Sequence, residues 1–278
     1  MLKKIIYSIV FFILIIFFSC SSLTNGLANS LYKQKDIKLV EDGAPAYLIL
    51  VEALIDSNPR NKKMLVMGIQ MFSAYSSAFV EDRERSGIFA EKTKNWALIL
   101  LRTYPRFKES ENADFDTFMK WVGTIHKNDI PYVFWAANAW IMWIIANADS
   151  VEALIDLPKA KAIIDKIYEL DDSYYYGAPH LFYGLYYSVL PDYIGGDLKK
   201  SKEEFDKALE YSKDKLLMTK VYLAQYYYKA KYDKKNFIKT LNEVINADID
   251  KYPEMRLLNS IAKKRAEELL KKVDEFFH

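Results

Sequence analysis

The stretch YYYGAPHLFYGLYYSVLPDYIGGDLKKSKEEFDKALEY, residues 174–211, predicts two helices that fold back on each other. In its first half, Tyr183, Gly184 and Tyr187 are spaced i, i+1 and i+4. Two large rings on one helix face therefore flank a position without a side chain, where a second helix can approach closely. Pro191 ends this helix, because proline cannot continue the backbone hydrogen bonding.

The second half of the stretch supplies a complementary face. Ser201, Phe205 and Ala208 are spaced i, i+4 and i+7, which forms a small-aromatic-small stripe. The preceding Gly195-Gly196-Asp197 does not form a phosphate loop, because no Gly-Lys-Ser/Thr follows it. Asp197 instead caps the second helix, and the stretch as a whole is a helical hairpin.

This hairpin resembles the tetratricopeptide pattern W-x2-L-G-x2-Y…A-x3-F, through Gly184, Tyr187 and Phe205. It departs from the pattern in a hairpin loop about five residues too long and in three substitutions: His180 for tryptophan, Tyr183 for leucine and Ser201 for alanine. Similar spacings recur in two other sets: Gly68, Phe72 and Tyr75, and Leu223, Ala224 and Tyr227. We therefore predict an all-α fold, an α-solenoid of degenerate tetratricopeptide-type hairpins with a C-terminal capping helix near residues 255–276.

Composition supports an ordered helical protein and excludes some partners. The 278 residues are 51% hydrophobic and 15% aromatic, with only 9 Gly and 8 Pro. Removal of residues 1–19 would remove two of the 39 basic residues and leave 37 against 37 acidic ones. A neutral chain with interspersed charges makes nucleic acid a poor candidate partner.

The N-terminus predicts export and lipid attachment. A basic start is followed by the apolar run Ile5–Phe18, which is shorter than the roughly 18–20 residues that span a bilayer. The run ends in Phe17-Phe18-Ser19-Cys20, and Cys20 is the only cysteine. The segment resembles a bacterial lipoprotein signal, although Phe17 replaces the usual aliphatic residue. An ordinary signal peptide or an uncleaved anchor is the alternative.

Three segments follow from this interpretation. Residues 1–19 are a lipoprotein signal peptide, and residues 20–42 are the lipidated N-terminus with a flexible tether. Residues 43–278 form the helical tetratricopeptide-like repeat domain, whose first helix we expect from about Ala44 to Asp56.

Aromatic residues exceed what helix packing alone requires. Pro131–Ala146 is apolar almost all round and is therefore expected to be central. Its tryptophans and its one amide could line a pocket, or could simply be core. The consecutive tyrosines 174–176 and 226–228 cannot all face one core. The candidate lining of a pocket or channel is Trp135, Asn138, Trp140, Trp143, Tyr175, Tyr176, Tyr183, Tyr187 and Tyr227.

Catalytic and metal-binding patterns are absent from the sequence. It contains no G-x-S-x-G and no H-E-x-x-H. His126, His180 and His278 have no neighbours at metal-ligand spacing, so we expect neither a metal nor another cofactor. The charge cluster Glu81–Arg85 could carry acid/base chemistry, but a solvated helix end with local ion pairs is favoured. The sequence therefore speaks against an enzyme.

Several turn and packing motifs occur in the order found in one known family. They are Gly43-Ala44-Pro45, Pro59-x-Asn61, Tyr75 through Phe79-Val80-x-Asp82 to Glu84-Arg85, Phe134-Trp135-Ala136, Leu170-Asp171 through Tyr175-Tyr176-Gly177-Ala178-Pro179, Pro191 through Gly195-Gly196-Asp197, and Asn259. In these motifs nearly all of the mature chain resembles the TatT family, the tetratricopeptide lipoprotein components associated with periplasmic TRAP transporters.

The resemblance implies a homotrimer with a pore or cleft through each protomer, which docks the substrate-binding P subunit of the transporter. It implies a periplasmic scaffold, anchored to a membrane through Cys20, whose channel binds or passes a hydrophobic ligand. Two alternatives stay open: a general cell-envelope interaction lipoprotein unrelated to transport, and a lipid-anchored hydrolase. Transporter genes beside this one would favour the transport role.

Overall fold

The computed structural model describes residues 30–277, and all regular secondary structure within them is helical. The predicted all-α class is confirmed. The predicted signal peptide and Cys20 lie outside the described residues. The helices are α1 Ile37–Ser57, α2 Lys62–Phe79, α3 Arg83–Leu101, α4 Phe107–Ser110, α5 Phe115–Val122, α6 Ile130–Ala146, α7 Val151–Leu170, α8 Tyr174–Val189, α9 Leu198–Ser212, α10 Met218–Tyr222, α11 Lys234–Asn246, α12 Arg256–Lys271 and α13 Val273–Phe276.

Helix α1 begins earlier than the sequence predicts. It starts at Ile37, where the Asp36 side chain accepts a hydrogen bond from the Leu39 amide, so residues 37–42 of the predicted tether are helical. Proline removes the backbone donor that would bond the carbonyl four residues earlier. Pro45 is tolerated inside α1 because the Tyr75 hydroxyl donates to the Glu41 carbonyl at 3.3 Å.

The α8/α9 hairpin closes as its motif predicts. A Cβ atom on Gly184 would lie 2.9 Å from the ring of Phe205, so the ring rests directly on the backbone of α8. The Ser201 hydroxyl donates to the Gly184 carbonyl at 2.7 Å and crosses the same seam. Phe205 and Ser201 are both fully buried. This confirms the predicted register of the hairpin.

The α2/α3 hairpin uses the same principle with a larger ring. Gly68 faces α3, and a Cβ there would lie 3.0 Å from the ring of Trp96 and 2.5 Å from Ile55 Cδ1 of α1. Phe72 lies next to it, with its ring centroid 5.0 Å from that of Trp96. The degenerate repeat predicted for this helix therefore faces its neighbour through its small residue.

The start of α8 differs from the predicted continuous helix. Tyr175, Tyr176 and Gly177 all have positive φ, at 46°, 63° and 76°. Left-handed residues are unfavourable for side chains with a Cβ, so three in succession are unusual. Gly177 is required here, because a Cβ would lie 2.9 Å from Cβ of Tyr211. The left-handed turn aims the consecutive tyrosines away from the right-handed helix that follows.

The third predicted repeat is distorted. Leu223, Ala224 and Tyr227 are buried, but they lie in a π-helical segment, Leu223–Tyr228, that continues α10. Leu223 and Tyr227 pack with Phe205 in one small core. A π-helix has wider turns than an α-helix. The three residues therefore keep their spacing along the sequence, but their side chains point in directions that differ from those in the α8/α9 hairpin.

A helix near the C-terminal end of the described residues packs against the first long helix. Helix α12 packs on α11 and also contacts α1, and Leu257 of α12 belongs to the same core as the N-terminal helices. Lys35 Nζ and a carboxylate oxygen of Asp250 lie 2.7 Å apart next to this contact. Helix α12 therefore contacts both its neighbour α11 and the first long helix of the described residues. Among residues 30–277, no helix is long and apolar enough to cross a membrane.

Candidate functional site

Aromatic side chains gather where α6 meets the left-handed turn of α8. The ring of Tyr175 lies edge-on to Trp135, with centroids 5.0 Å apart, and Tyr174 lies 5.1 Å from Phe134. The turn lies against α6 through these contacts of Tyr174 and Tyr175. Trp135 and Tyr175 are thus two predicted lining residues, from different helices, that the structure brings into contact.

Tyr32 and Tyr175 are both exposed and lie near each other. Each keeps more than a third of its surface exposed, 39% and 38% respectively. Burial nevertheless raises the pKa of both hydroxyls above the ordinary tyrosine value, and the nearby Tyr32 adds to the rise at Tyr175. Solvent therefore reaches two tyrosine rings beside the contact between Trp135 and Tyr175.

Other predicted lining residues belong to the core. Trp140 is buried and its Nε1 donates to Asp156 at 2.8 Å, while Tyr227 packs with Phe205. Tyr183 is buried and its hydroxyl bonds Asp165. For these three the packing alternative holds, since aromatic residues at helical spacing usually face neighbouring helices.

The remaining predicted residues are half-buried, and of these Tyr176 lies edge-on to Tyr175, with ring centroids 5.5 Å apart. Trp143 donates from Nε1 to Glu91, and Lys94 Nζ lies 3.0 Å from the centre of its ring. Tyr187 stacks on Tyr183, with ring centroids 5.6 Å apart. Asn138 and Tyr176 are also half-buried. The nine residues therefore do not form one pocket.

A buried imidazole joins three elements of the α8/α9 region. His180 Nδ1 lies 2.6 Å from Glu204 of α9, and Nε2 lies 3.3 Å from Asp172 of the preceding loop. Tyr211 stacks on the ring and donates to Asp172 at 3.0 Å. Burial alone lowers the pKa of His180, but the hydrogen bonds and charges of Glu204 and Asp172 outweigh it, and the pKa is raised.

The sequence did not reveal this His180 cluster, because its members are far apart along the chain. His180 occupies the tryptophan position of the repeat pattern, and this substitution was the available signal. In the part of the chain that the structure describes, no group of three or more His, Cys, Asp or Glu side chains is arranged to hold a metal ion.

A surface cleft of about 900 Å³ lies between the first turns of α3 and the turn that joins α6 to α7. Arg83 and Asp149 form an exposed ion pair at 2.5 Å across it. The cleft is lined by Arg83, Glu84, Gly87, Ile88, Glu91, Ala146, Asn147, Asp149 and Ser150. None of the predicted lining residues is among them.

A smaller cavity of about 100 Å³ adjoins the cleft at Ala146. Its walls combine apolar and hydroxyl side chains: Phe72, Ser73, Ser76, Ser86, Phe89, Ala90, Thr93, Met142, Ile145 and Ala146. Ser76 and Ser86 bond each other at 3.3 Å across it. The buried hydroxyl of Ser73 has no hydrogen-bond partner among the described residues. Short polar residues on separate helices give no sequence pattern, so this cavity was missed.

Comparison with known proteins identifies the class to which this fold and these features belong. The model of the family TAtT, TRAP transporter T-component, matches residues 33–277. The chain therefore belongs to the TRAP transporter T-component family. It is also similar to an uncharacterized protein of Treponema pallidum (strain Nichols), with 22% identity over 264 residues, which cover 88% of this chain and 81% of that protein.

Membership confirms the family that the sequence motifs resemble. It implies a role in TRAP transport, association with a TRAP transporter and a location in the cell envelope. The family consists of transporter components and is not an enzyme family.

Proposed function

We propose that this chain is a periplasmic lipoprotein scaffold of a TRAP-type transport system. It oligomerises, docks the substrate-binding P subunit, and binds or passes a hydrophobic ligand through an internal channel. The observation that carries the proposal is the family match over residues 33–277, nearly the whole described chain.

Two structural features support the channel. The packed helices form a circuit, because α12 at the C-terminal end contacts α1 at the N-terminal end. The exposed Tyr175 meets the half-buried Trp135 close to Tyr32, so aromatic rings form a surface that solvent reaches. A mostly apolar wall with a few hydroxyls suits a ligand that is largely hydrophobic and has one polar group.

Exposed apolar side chains support protein contacts. Val151, Leu154 and Ile155 on one face of α7 are 68%, 50% and 66% exposed. Large apolar side chains grouped on a surface are typical of sites that another protein covers. This face of α7 is therefore available for contact with a partner protein.

Cys20 supplies the membrane anchor in this proposal. A protein whose described helices do not span a membrane needs more than one acyl chain for stable attachment. Palmitate labelling of cells that express the chain should disappear in Cys20→Ala and persist in Ser21→Ala. Labelling that survives in Cys20→Ala would remove the lipoprotein interpretation.

Light scattering tests the two protein contacts. The full chain, purified in mild detergent, is measured alone and after mixing with a TRAP P subunit from the same organism. We expect an oligomer, most simply a trimer, and a larger species in the mixture. A monomer that stays unbound at tens of micromolar, roughly the weak end of specific association, would contradict both contacts.

A further inference from the structure

Both ring nitrogens of His180 face carboxylate oxygens. Nδ1 lies 2.6 Å from Glu204 and Nε2 lies 3.3 Å from Asp172, and the His180 side chain is only 4% exposed. An ionised carboxylate accepts hydrogen bonds and donates none, whereas a neutral imidazole carries only one N–H. Both contacts are therefore hydrogen bonds only when the ring is protonated. Because the Glu204 contact is shorter, we expect a neutral ring to keep its proton on Nδ1 and to lose the bond to Asp172.

The surroundings of His180 favour the charged ring. Burial lowers its pKa, but the hydrogen bonds and charges of Glu204 and Asp172 outweigh burial and raise the pKa above the ordinary histidine value. The adjacent tyrosines stay protonated near neutral pH, because burial raises the pKa of Tyr168 to about 12 and the bond to Asp172 raises that of Tyr211. The titratable and charged groups that face the ring or its carboxylate partners are Tyr168 of α7, Asp172 of the loop before α8, and Glu204, Lys207, Glu210 and Tyr211 of α9.

The side chains around His180 hold both ends of the left-handed turn. Asp172 precedes the turn and accepts a hydrogen bond from the Tyr211 hydroxyl at 3.0 Å. Gly177 ends the turn and lies against the same residue, since a Cβ there would lie 2.9 Å from Tyr211 Cβ. Tyr211 in turn stacks on the His180 ring, with centroids 5.5 Å apart. Residues 173–176 are therefore held between two contacts that both belong to the His180 cluster.

The left-handed turn is the part of this region that is able to change conformation. Tyr175 and Tyr176 have φ values of 46° and 63°, in a region that is unfavourable for residues with a Cβ. A backbone of this kind persists only where the surrounding contacts hold it. When a neutral ring no longer binds Asp172, one of those contacts is lost and the backbone relaxes. Relaxation moves the ring of Tyr175 away from its edge-on contact with Trp135.

We propose that His180 is a pH-dependent switch for the position of Tyr175. With the ring protonated, Asp172 and Glu204 are both bonded, and the turn holds Tyr175 against Trp135. With the ring neutral, the Asp172 contact is lost and Tyr175 leaves Trp135. The switch deepens the proposed function, because it regulates the aromatic surface assigned there to the channel, and it rests on that assignment.

Fluorine NMR of the full chain, labelled with 5-fluorotryptophan and kept in mild detergent, tests the switch. The chain contains five tryptophans, and the variant Trp135→Phe assigns the resonance of Trp135. A nearby aromatic ring shifts such a resonance. We therefore expect the Trp135 signal to change with pH, with a midpoint above the ordinary histidine value of about 6.5. Trp121, which is buried on α5, should stay constant and serves as the internal reference.

Three variants distinguish a switch from a histidine that only packs. His180→Gln should make the Trp135 resonance independent of pH between about pH 6 and pH 9, where histidine titrates. Glu204→Gln keeps the imidazole but removes a carboxylate that raises its pKa, so the midpoint should fall by about one pH unit or more. His126→Gln is the matched control, because His126 is exposed, and it should leave the pH dependence unchanged.

Several outcomes would overturn the switch. One is a wild-type Trp135 resonance that does not change over this pH range. Another is a change that keeps its midpoint in His180→Gln or disappears in His126→Gln. If His180→Gln does not fold, Glu204→Gln decides the matter, since an unchanged midpoint there would also overturn the proposal.

Failure of the switch and failure of the proposed function give different results. The fluorine signals require neither a ligand nor the P subunit. A Trp135 signal without pH dependence, in a chain that binds the P subunit, would remove the switch and leave the transport role. A pH-dependent Trp135 signal in a chain that does not bind the P subunit would support the switch and contradict the proposed docking.

Discussion

The α8/α9 and α2/α3 hairpins begin from the same device and end differently. Each places a glycine under an aromatic ring, Gly184 under Phe205 and Gly68 beside Trp96. The α8/α9 seam is closed, with the Ser201 hydroxyl bonded across it. The α2/α3 side retains a cavity of about 100 Å³ with the Ser73 hydroxyl, for which residues 30–277 provide no hydrogen-bond partner. The α8/α9 hairpin is therefore closely packed, whereas the α2/α3 hairpin leaves a cavity beside the surface cleft.

Ring size accounts for much of the difference. Phe205 lies directly over Gly184, so one ring rests on the backbone of the facing helix. Phe72 instead packs against both Phe89 and Trp96, at centroid distances of 5.3 and 5.0 Å. Three large rings between α2 and α3 leave gaps that serine side chains cannot fill, because close packing requires complementary shapes.

Truncation of Phe205 should have the largest effect. Phe205→Ala is expected to lower the free energy of unfolding by about 3–5 kcal/mol, because the ring is fully buried and leaves a cavity. Phe72→Ala should cost less, because Phe72 already lines a cavity. Phe115→Ala, at a side chain 45% exposed, is the control with little expected change. Equal losses in urea unfolding for Phe205 and Phe72 would remove the contrast between the hairpins.

The His180 cluster should make the α8/α9 side sensitive to pH. Its pKa is raised in the folded state, so the stabilisation is full below the unfolded value of about 6.5 and is lost as pH rises through the folded value. His180→Gln should cost about 1.5–3 kcal/mol at pH 6, the range for hydrogen bonds to charged groups, and less at pH 9. Urea unfolding of both proteins at the two pH values measures this. If the difference in the free energy of unfolding between wild type and His180→Gln is as large at pH 9 as at pH 6, the charged imidazole is contradicted.

Glycine substitutions should have opposite signs at two positions. Gly184→Leu is expected to cost about 1–3 kcal/mol by overpacking against Phe205. Gly43 lies inside α1 with open space around it, so Gly43→Ala should stabilise by roughly 0.5–1 kcal/mol. Melting temperatures read both effects. A neutral Gly184→Leu would mean that the register of the hairpin is wrong.

Removal of one hydroxyl should change the free energy of unfolding least, and the change should still differ between the two hairpins. Ser201→Ala removes the bond to the Gly184 carbonyl and should cost about 0.5–1.5 kcal/mol. Ser73→Ala removes a hydroxyl that has no partner within the described part of the chain, so we expect no loss or a slight gain in the free energy of unfolding. A loss at Ser73 as large as that at Ser201 would show that the Ser73 hydroxyl is bonded in solution.

The sequence could predict the α8/α9 hairpin because its determinants are local. Gly184, Tyr187 and Phe205 fall within one repeat length and follow a known spacing. The sequence placed the start of α1 too late, because a proline inside a helix leaves one carbonyl without its backbone donor. Here the Tyr75 hydroxyl of α2 bonds that carbonyl, at Glu41. Such a contact between separate helices has no signal in a local pattern.

The candidate site was less predictable than the fold. Trp135 and Tyr175 were predicted as lining residues because they lie in segments rich in aromatic residues, and their rings do make contact. Trp140, which lies on α6 with Trp135, is instead buried in the core. A helix that is apolar all round does not indicate which face meets a cavity. The cleft and the His180 cluster each combine residues from several elements, and only the tertiary structure brings these together.

Purification of the chain from its native membranes tests the central claim most directly. The full chain and its Cys20→Ala variant are isolated under mild conditions, and bound proteins are identified by mass spectrometry. We predict that the P subunit of a TRAP transporter is recovered with the wild-type chain in stoichiometric amount. Recovery of the chain as an oligomer without any TRAP component would contradict the proposed role in docking the P subunit.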